Sequence, residues 1–119
     1  MLFRSAMIHY GVSKTADVAV ARGLAKLMAG TGVTVNSILP GPTLSDGFQN
    51  VHKDEFAATG LPVADAAADF VLKHRPSTLL RRPSTVDEIA HMAIYLASPL
   101  SSATTGAAVR VDGGVWDSL

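Results

Sequence analysis

Val33-Thr34-Val35-Asn36-Ser37-Ile38-Leu39-Pro40-Gly41-Pro42-Thr43-Leu44-Ser45 is the stretch whose reading decides the fold. Residues 33–39 are rich in β-branched and apolar side chains, which predicts a buried strand. Pro40-Gly41 ends it, because proline has no N–H to give a ladder and glycine opens a turn. Upstream, Val12, Ala16, Ala19, Val20, Gly23, Leu27 and Met28 recur at helical spacing. Alanines and Gly23 make that helical face shallow, which suits close packing, and Gly30 and Gly32 stop the helix before the strand begins.

Downstream, residues 107–111 read as the partner strand. The helix between the strands has a marked start at Thr85-Val86-Asp87-Glu88, a capping box in which Thr85 accepts from the Glu88 amide and Glu88 reaches back. Ile89, Met92, Ala93 and Leu96 follow as its buried stripe, and Pro99 ends it. Strand, helix, strand implies a parallel pair with a right-handed crossover. Within residues 46–80, Phe48, Val51 and Phe56 suggest one short helix, and Val63, Ala66, Ala67, Phe70, Val71 and His74 a second. A segment leaving the C-terminal end of a strand is where an α/β sheet carries substrate-covering elements, so a mobile lid is expected there. The reading is α/β, with two parallel strands and about four helices.

The chain has 119 residues, and its length allows one domain at most. Ten basic and ten acidic side chains cancel, so no net field favours nucleic acid or an anionic membrane surface. At 48% hydrophobic it is too apolar for a disordered segment, yet no run approaches the roughly 18 apolar residues of a membrane span. Arg4 is followed by no long apolar core of a signal peptide. Zero cysteines excludes disulfides and thiolate metal sites and fits a cytoplasmic setting. His9, His52, His74 and His91 lack metal-ligand spacing.

Near the start, Tyr10-Gly11-Val12-Ser13-Lys14 puts a phenol and an ammonium one above the other on a helical face. A free tyrosine holds its proton to a pKa of about 10. A fixed ammonium beside it favours the phenolate and brings the group toward useful proton transfer. The pair alone also arises on plain solvated helix faces, so its weight comes from its company. Ser13 faces away from Tyr10 on the helix. Asn36 reads as a structural hydrogen-bonder at the sheet, and Arg81 and Arg82 as caps of the lid or partners of Asp87.

In order, the Tyr10–Lys14 pair, Val33 through Ser45, Arg82-Pro-Ser-Thr-Val-Asp-Glu-Ile-Ala90 with Tyr95-Leu-Ala-Ser-Pro-Leu-Ser101, and Thr105-Gly-Ala-Ala-Val-Arg-Val-Asp-Gly-Gly114 resemble the C-terminal half of the short-chain dehydrogenase/reductase family. The likeness runs from about Met7 to Gly114. It implies a C-terminal fragment of a Rossmann-type doubly wound parallel sheet that takes NAD or NADP and interconverts a small-molecule alcohol and a carbonyl by hydride transfer. By the match, Tyr10 is the proton donor or acceptor and also lies at the cofactor, and Lys14 lowers the tyrosine pKa and binds the cofactor ribose. Pro40, Gly41, Thr43 and Ser45 correspond to the turn on the nicotinamide side, with the Thr43 backbone toward the carboxamide. Ser45 stands where the family usually has threonine. Asp112-Gly113-Gly114 resembles a turn that aids subunit association, so a homo-oligomer is implied.

The family's glycine-rich phosphate turn, catalytic serine and active-site asparagine have no counterpart in these residues, so the isolated chain is expected to be inactive. Residues 1–6 read as a leader outside the family pattern, with Leu2-Phe3-Arg4-Ser5 matching one frame of a sequencing-adapter end, and residues 7–119 as the family portion with its lid over about 46–80. Enoyl reductases of the family use a wider tyrosine-to-lysine spacing, so the four-residue spacing here argues for alcohol and carbonyl chemistry. The alternative function is an inactive assembly piece that associates with related subunits through the alanine face and the final strand.

Overall fold

The computed structural model describes residues 7–117, and the leader expected over residues 1–6 lies outside them. The chain runs α1 (Ile8–Leu27), β1 (Ser37–Pro40), α2 (Asp46–Val51), α3 (Lys53–Thr59), α4 (Val63–His74), α5 (Val86–Ala97) and β2 (Ala108–Val111). A single 3-10 turn at Pro99–Ser101 follows α5. The two strands are hydrogen-bonded neighbours. Their register advances together, from the Ser37 N–H on Ala107 O (2.9 Å) to the Gly41 N–H on Val111 O (3.1 Å), the signature of a parallel pair. The architecture is therefore α/β, as the sequence pattern implies. The described residues form two compact units, one of the chain through Leu39 with Met92–Arg110, the other of Pro40–His91 with the chain from Val111 on.

In the first unit, α1 runs 20 residues and buries only Gly11. It ends where Gly30 and Gly32 adopt φ of 77° and 79°, a left-handed backbone that costs other residues a Cβ clash. Arg22 Nη1 donates to Gly106 O at 3.1 Å and ties the helix to the segment entering β2. Asn36 acts at the sheet as expected: its Nδ2 donates to Thr104 O at 2.8 Å and its Oδ1 accepts the Ala107 N–H at 3.1 Å. The side-chain amide thus substitutes for a rung of backbone ladder just ahead of β1.

The second unit owns the hydrophobic core. Phe56, Ala66 and Ala67 are buried together, with Leu44, Phe48 and Phe70 packed against them. Phe70 meets Phe48 and Phe56 edge-on, at ring-centroid distances of 5.6 and 5.9 Å, the arrangement that puts positive ring edges on negative faces. Gly60 closes α3 with φ of 68°.

Four local expectations change. Strand β1 is four residues long and half-buried rather than a buried run over 33–39, because one neighbouring strand covers only one of its edges. The single short helix expected around Phe48 and Phe56 is two, separated at His52, whose φ of −107° and ψ of 15° leave the helical basin. That break raises the helix count from about four to five. On α5, Ile89, Met92 and Leu96 are half-buried while Ala93 is exposed. Arg82 pairs with Glu88, not Asp87. Among the described residues, no helix is long and apolar enough to cross a membrane.

Candidate active site

Tyr10 and Lys14 lie on the first two turns of α1. The helix brings them together as the i, i+4 spacing requires, with Lys14 Nζ 5.9 Å from the Tyr10 ring centroid. Lys14 Nζ also donates to Asp17 Oδ2 at 3.1 Å. Asp17 escaped the sequence reading, although its i+3 offset from Lys14 is a pairing distance on a helix. The Tyr10 side of the helix faces solvent, with the residue 42% exposed. Ser13 Oγ donates to Tyr10 O at 3.0 Å, so its hydroxyl serves the backbone of its own helix. Buried Gly11 stands beside Tyr10.

The Pro40–Ser45 turn belongs to the other unit and is pinned at three places. Gly41 comes first: a Cβ there would lie 2.5 Å from Asp112 O and 2.7 Å from Asp112 Cα. Two backbones approach so closely that only glycine fits. Next, Thr43 forms a parallel bridge with Ser84, in which the Ser84 N–H donates to Pro42 O (2.8 Å) and the Leu44 N–H to Ser84 O (2.8 Å). Last, Ser45 caps α2, its Oγ accepting the Phe48 N–H at 3.2 Å. Thr43 Oγ1 donates to Gly41 O at 3.0 Å, which tightens the turn further. Pro40 is the exposed end of β1.

Asp112 and Ser84 were not legible as parts of this turn. Asp112 Oδ1 accepts the Gly114 N–H at 3.0 Å, shaping a glycine turn whose Gly113 O accepts from the Leu80 N–H at 2.9 Å. At the start of α5 the capping box is formed on both sides, Glu88 N–H to Thr85 Oγ1 at 3.2 Å and Thr85 N–H to Glu88 Oε2 at 2.8 Å. Arg82 grips the same carboxylate with both terminal nitrogens, at 2.9 and 2.8 Å. These charge-assisted bonds hold the Glu88 carboxyl down from 4.5 to about 2 and raise Arg82 above its ordinary value.

Within residues 46–80, Glu55 lies 3.5 Å from His52 Nδ1 and 3.8 Å from His74 Nε2. Among the described residues, no group of three or more His, Cys, Asp or Glu is arranged to hold a metal ion.

A family model described as "Enoyl-(Acyl carrier protein) reductase" matches residues 3–116. The uncharacterized oxidoreductase YvaG of Bacillus subtilis is 42% identical over 113 residues, which cover 95% of this chain and 43% of that protein. A solved short chain oxidoreductase from Pseudomonas aeruginosa PAO1, described as having an atypical catalytic center and bound to NADPH, superimposes with a TM-score of 0.80 at 26% identity. That match covers 95% of this chain and 40% of that one. L-sorbose reductase from Gluconobacter frateurii, complexed with NADPH and L-sorbose, gives a TM-score of 0.79 at 25% identity over 92% of this chain and 41% of its own. The chain thus spans about two-fifths of the length of the proteins it matches.

Proposed function

Because the chain belongs to the short-chain dehydrogenase/reductase family, we propose that it carries the proton-transfer pair and the nicotinamide-side turn of an NAD(P)-dependent oxidoreductase that interconverts an alcohol and a carbonyl. The observation that carries this reading is the Tyr10–Lys14 pair, a phenol and an ammonium on one face of α1 in a chain that matches the family nearly end to end. The family's cofactor is NAD(P), since the related solved structures hold NADPH.

The turn fits a nicotinamide on its own evidence of shape. Gly41 keeps the backbone free of any Cβ at the point where it meets Asp112. The Thr43–Ser84 bridge uses the groups flanking Thr43 and leaves the Thr43 N–H facing the opposite side, while Thr43 O accepts the Ser45 N–H at 2.8 Å. That N–H is a donor suited to a carboxamide oxygen. Pro40, Gly41, Thr43 and Ser45 would hold the nicotinamide end, and Lys14 the ribose. When bound, the nicotinamide supplies or takes up the hydride.

The work of this chain's residues is then alignment and charge control. Tyr10 Oη gives its proton to the carbonyl oxygen in reduction, or takes it from the hydroxyl in oxidation. Lys14 stabilises the negative charge on Oη while the proton is away, and Asp17 steadies Lys14 from the next turn. Residues 46–80, with their own core, would cover a small-molecule substrate as a lid. Reduction of an enoyl thioester, which the matching family model's description names, also runs on nicotinamide hydride. The four-residue spacing between Tyr10 and Lys14 is the reason for preferring the alcohol and carbonyl reaction. A homo-oligomer aided by the Asp112–Gly114 turn and a cytoplasmic setting belong to this reading, and the alternative to it is an inactive piece that associates with related subunits through the alanine face of α1 and the final strand.

The test is Lys14→Met in a chain completed with the N-terminal part of a relative. Turnover and NAD(P) affinity should fall together, because one ammonium serves both the tyrosine and the ribose. Unchanged affinity, measured by cofactor titration, would remove the ribose contact from this reading.

A further inference from the structure

Ser84 is 4% exposed and lies between two residues bound to one carboxylate. On its N-terminal side, Arg82 donates Nη1 and Nη2 to Glu88 at 2.9 and 2.8 Å, and Arg82 Nη1 also reaches Pro83 O at 3.0 Å. On its C-terminal side, the Thr85 N–H donates to Glu88 Oε2 at 2.8 Å. Glu88 therefore closes residues 82–85 into a loop, with Ser84 as the residue that faces the Thr43 turn.

An isolated ion pair this exposed would count for little. This one differs because it is a planar fork onto a carboxylate that also accepts a backbone N–H, so three donors fix one group's orientation. A cap alone would need only Thr85 and Glu88. The fork from Arg82 adds nothing to the cap but fixes the backbone ahead of Ser84.

We propose that Glu88 and Arg82 are positioning residues for the Pro40–Ser45 turn, setting through Ser84 the direction in which the Thr43 N–H is presented. Its functional meaning rests on the cofactor role proposed for that turn. Neither side chain touches the reacting atoms, and both act through the Thr43–Ser84 bridge.

The test uses the 119-residue chain. Glu88→Gln keeps an acceptor for the Thr85 N–H, and so the cap, but removes the charge that holds Arg82. Hydrogen exchange followed by NMR should show protection of the Leu44 and Ser84 amides falling about tenfold in the variant, with the Val71 amide unchanged. Equal protection in both proteins overturns the proposal, as does absence of protection at Leu44 and Ser84 in the parent chain. Arg82→Lys, which keeps the charge and loses the fork, should weaken the same two amides. Thr85→Ser, which keeps the cap hydroxyl, should not.

A pH profile separates positioning from general stability. Glu88 is held down from 4.5 to about 2, so the clamp is intact above the first value and is lost as pH falls toward the second. The Thr43 amide resonance should follow that acid step in the parent chain and lose it in Glu88→Gln. A step that persists in the variant overturns the link. Finally, millimolar nicotinamide mononucleotide should move the Thr43 resonance less in Glu88→Gln than in the parent chain, and equal movement overturns the positioning role. A silent Thr43 in the parent chain, with the exchange effect intact, overturns the cofactor reading alone.

Discussion

α4 buries Ala66, Ala67 and Val71, with Phe48, Phe56 and Phe70 gathered around the two alanines. α1 carries a similar stripe, Ala16, Ala19 and Val20, and leaves all three exposed. Both helices have apolar residues at helical spacing, so periodicity identifies the face and says nothing about whether another element covers it. What distinguishes α4 is three rings within about twenty-five residues of chain, close enough to fold onto its alanines without a long loop closure. α1 shows Ile8, Val12 and Leu27 to solvent at 66, 65 and 71%. The residues nominated for chemistry, Tyr10 and Lys14, lie on the bare helix, while the packed region holds the turn still.

Three substitutions sharpen or break this contrast. The largest effect is expected from Phe56→Ala, which opens a cavity in the hydrophobic cluster of the second unit and should cost about 3–5 kcal/mol of stability in urea unfolding. A loss below about 1 kcal/mol would mean that this cluster is not packed in solution. Next, Gly41→Ala drives a Cβ into Asp112 backbone and should cost roughly 1–3 kcal/mol, with shifts in the NMR signals of Val111 and Asp112. A silent Gly41→Ala would show that the two backbones do not meet as closely as described. Smallest, Leu27→Gln should change thermal stability by no more than about 0.5 kcal/mol, because the side chain it replaces is already in water. A loss of several kcal/mol would reveal a covered α1 and end the comparison.

Much of the framework was readable because its causes are local. The capping box at Thr85 and Glu88 is a four-residue pattern, and both of its hydrogen bonds are formed. The stop at Gly30 and Gly32 and the turn at Pro40-Gly41 follow from what those residues do to a backbone. The parallel pairing of β1 was readable from the strand, helix, strand order. The misread features depend on contacts distant in sequence. Arg82 was read as a cap of the lid or a partner of Asp87, but the capping box draws Glu88 back over the start of the helix and into reach. Ser84 went unseen because its link to Thr43 is made entirely by backbone atoms, which leave no mark on side-chain identity. The break at His52 was invisible for a related reason. His52 packs at a tilt against Phe48 and Phe70, with ring centroids 4.9 and 4.2 Å away, so tertiary packing accompanies the departure from the helical run. Within the candidate site, the side-chain pair was legible in the sequence and the scaffold of the turn was not.

The claim that matters most is that Tyr10 moves the proton while hydride passes to or from a nicotinamide. Tyr10→Phe keeps the ring and removes only the hydroxyl, so it separates chemistry from binding. Single-turnover hydride transfer, measured in a chain completed with the N-terminal part of a relative, should fall by about 10²–10⁴-fold while NAD(P) affinity changes little. Near-normal transfer in that variant would contradict the account.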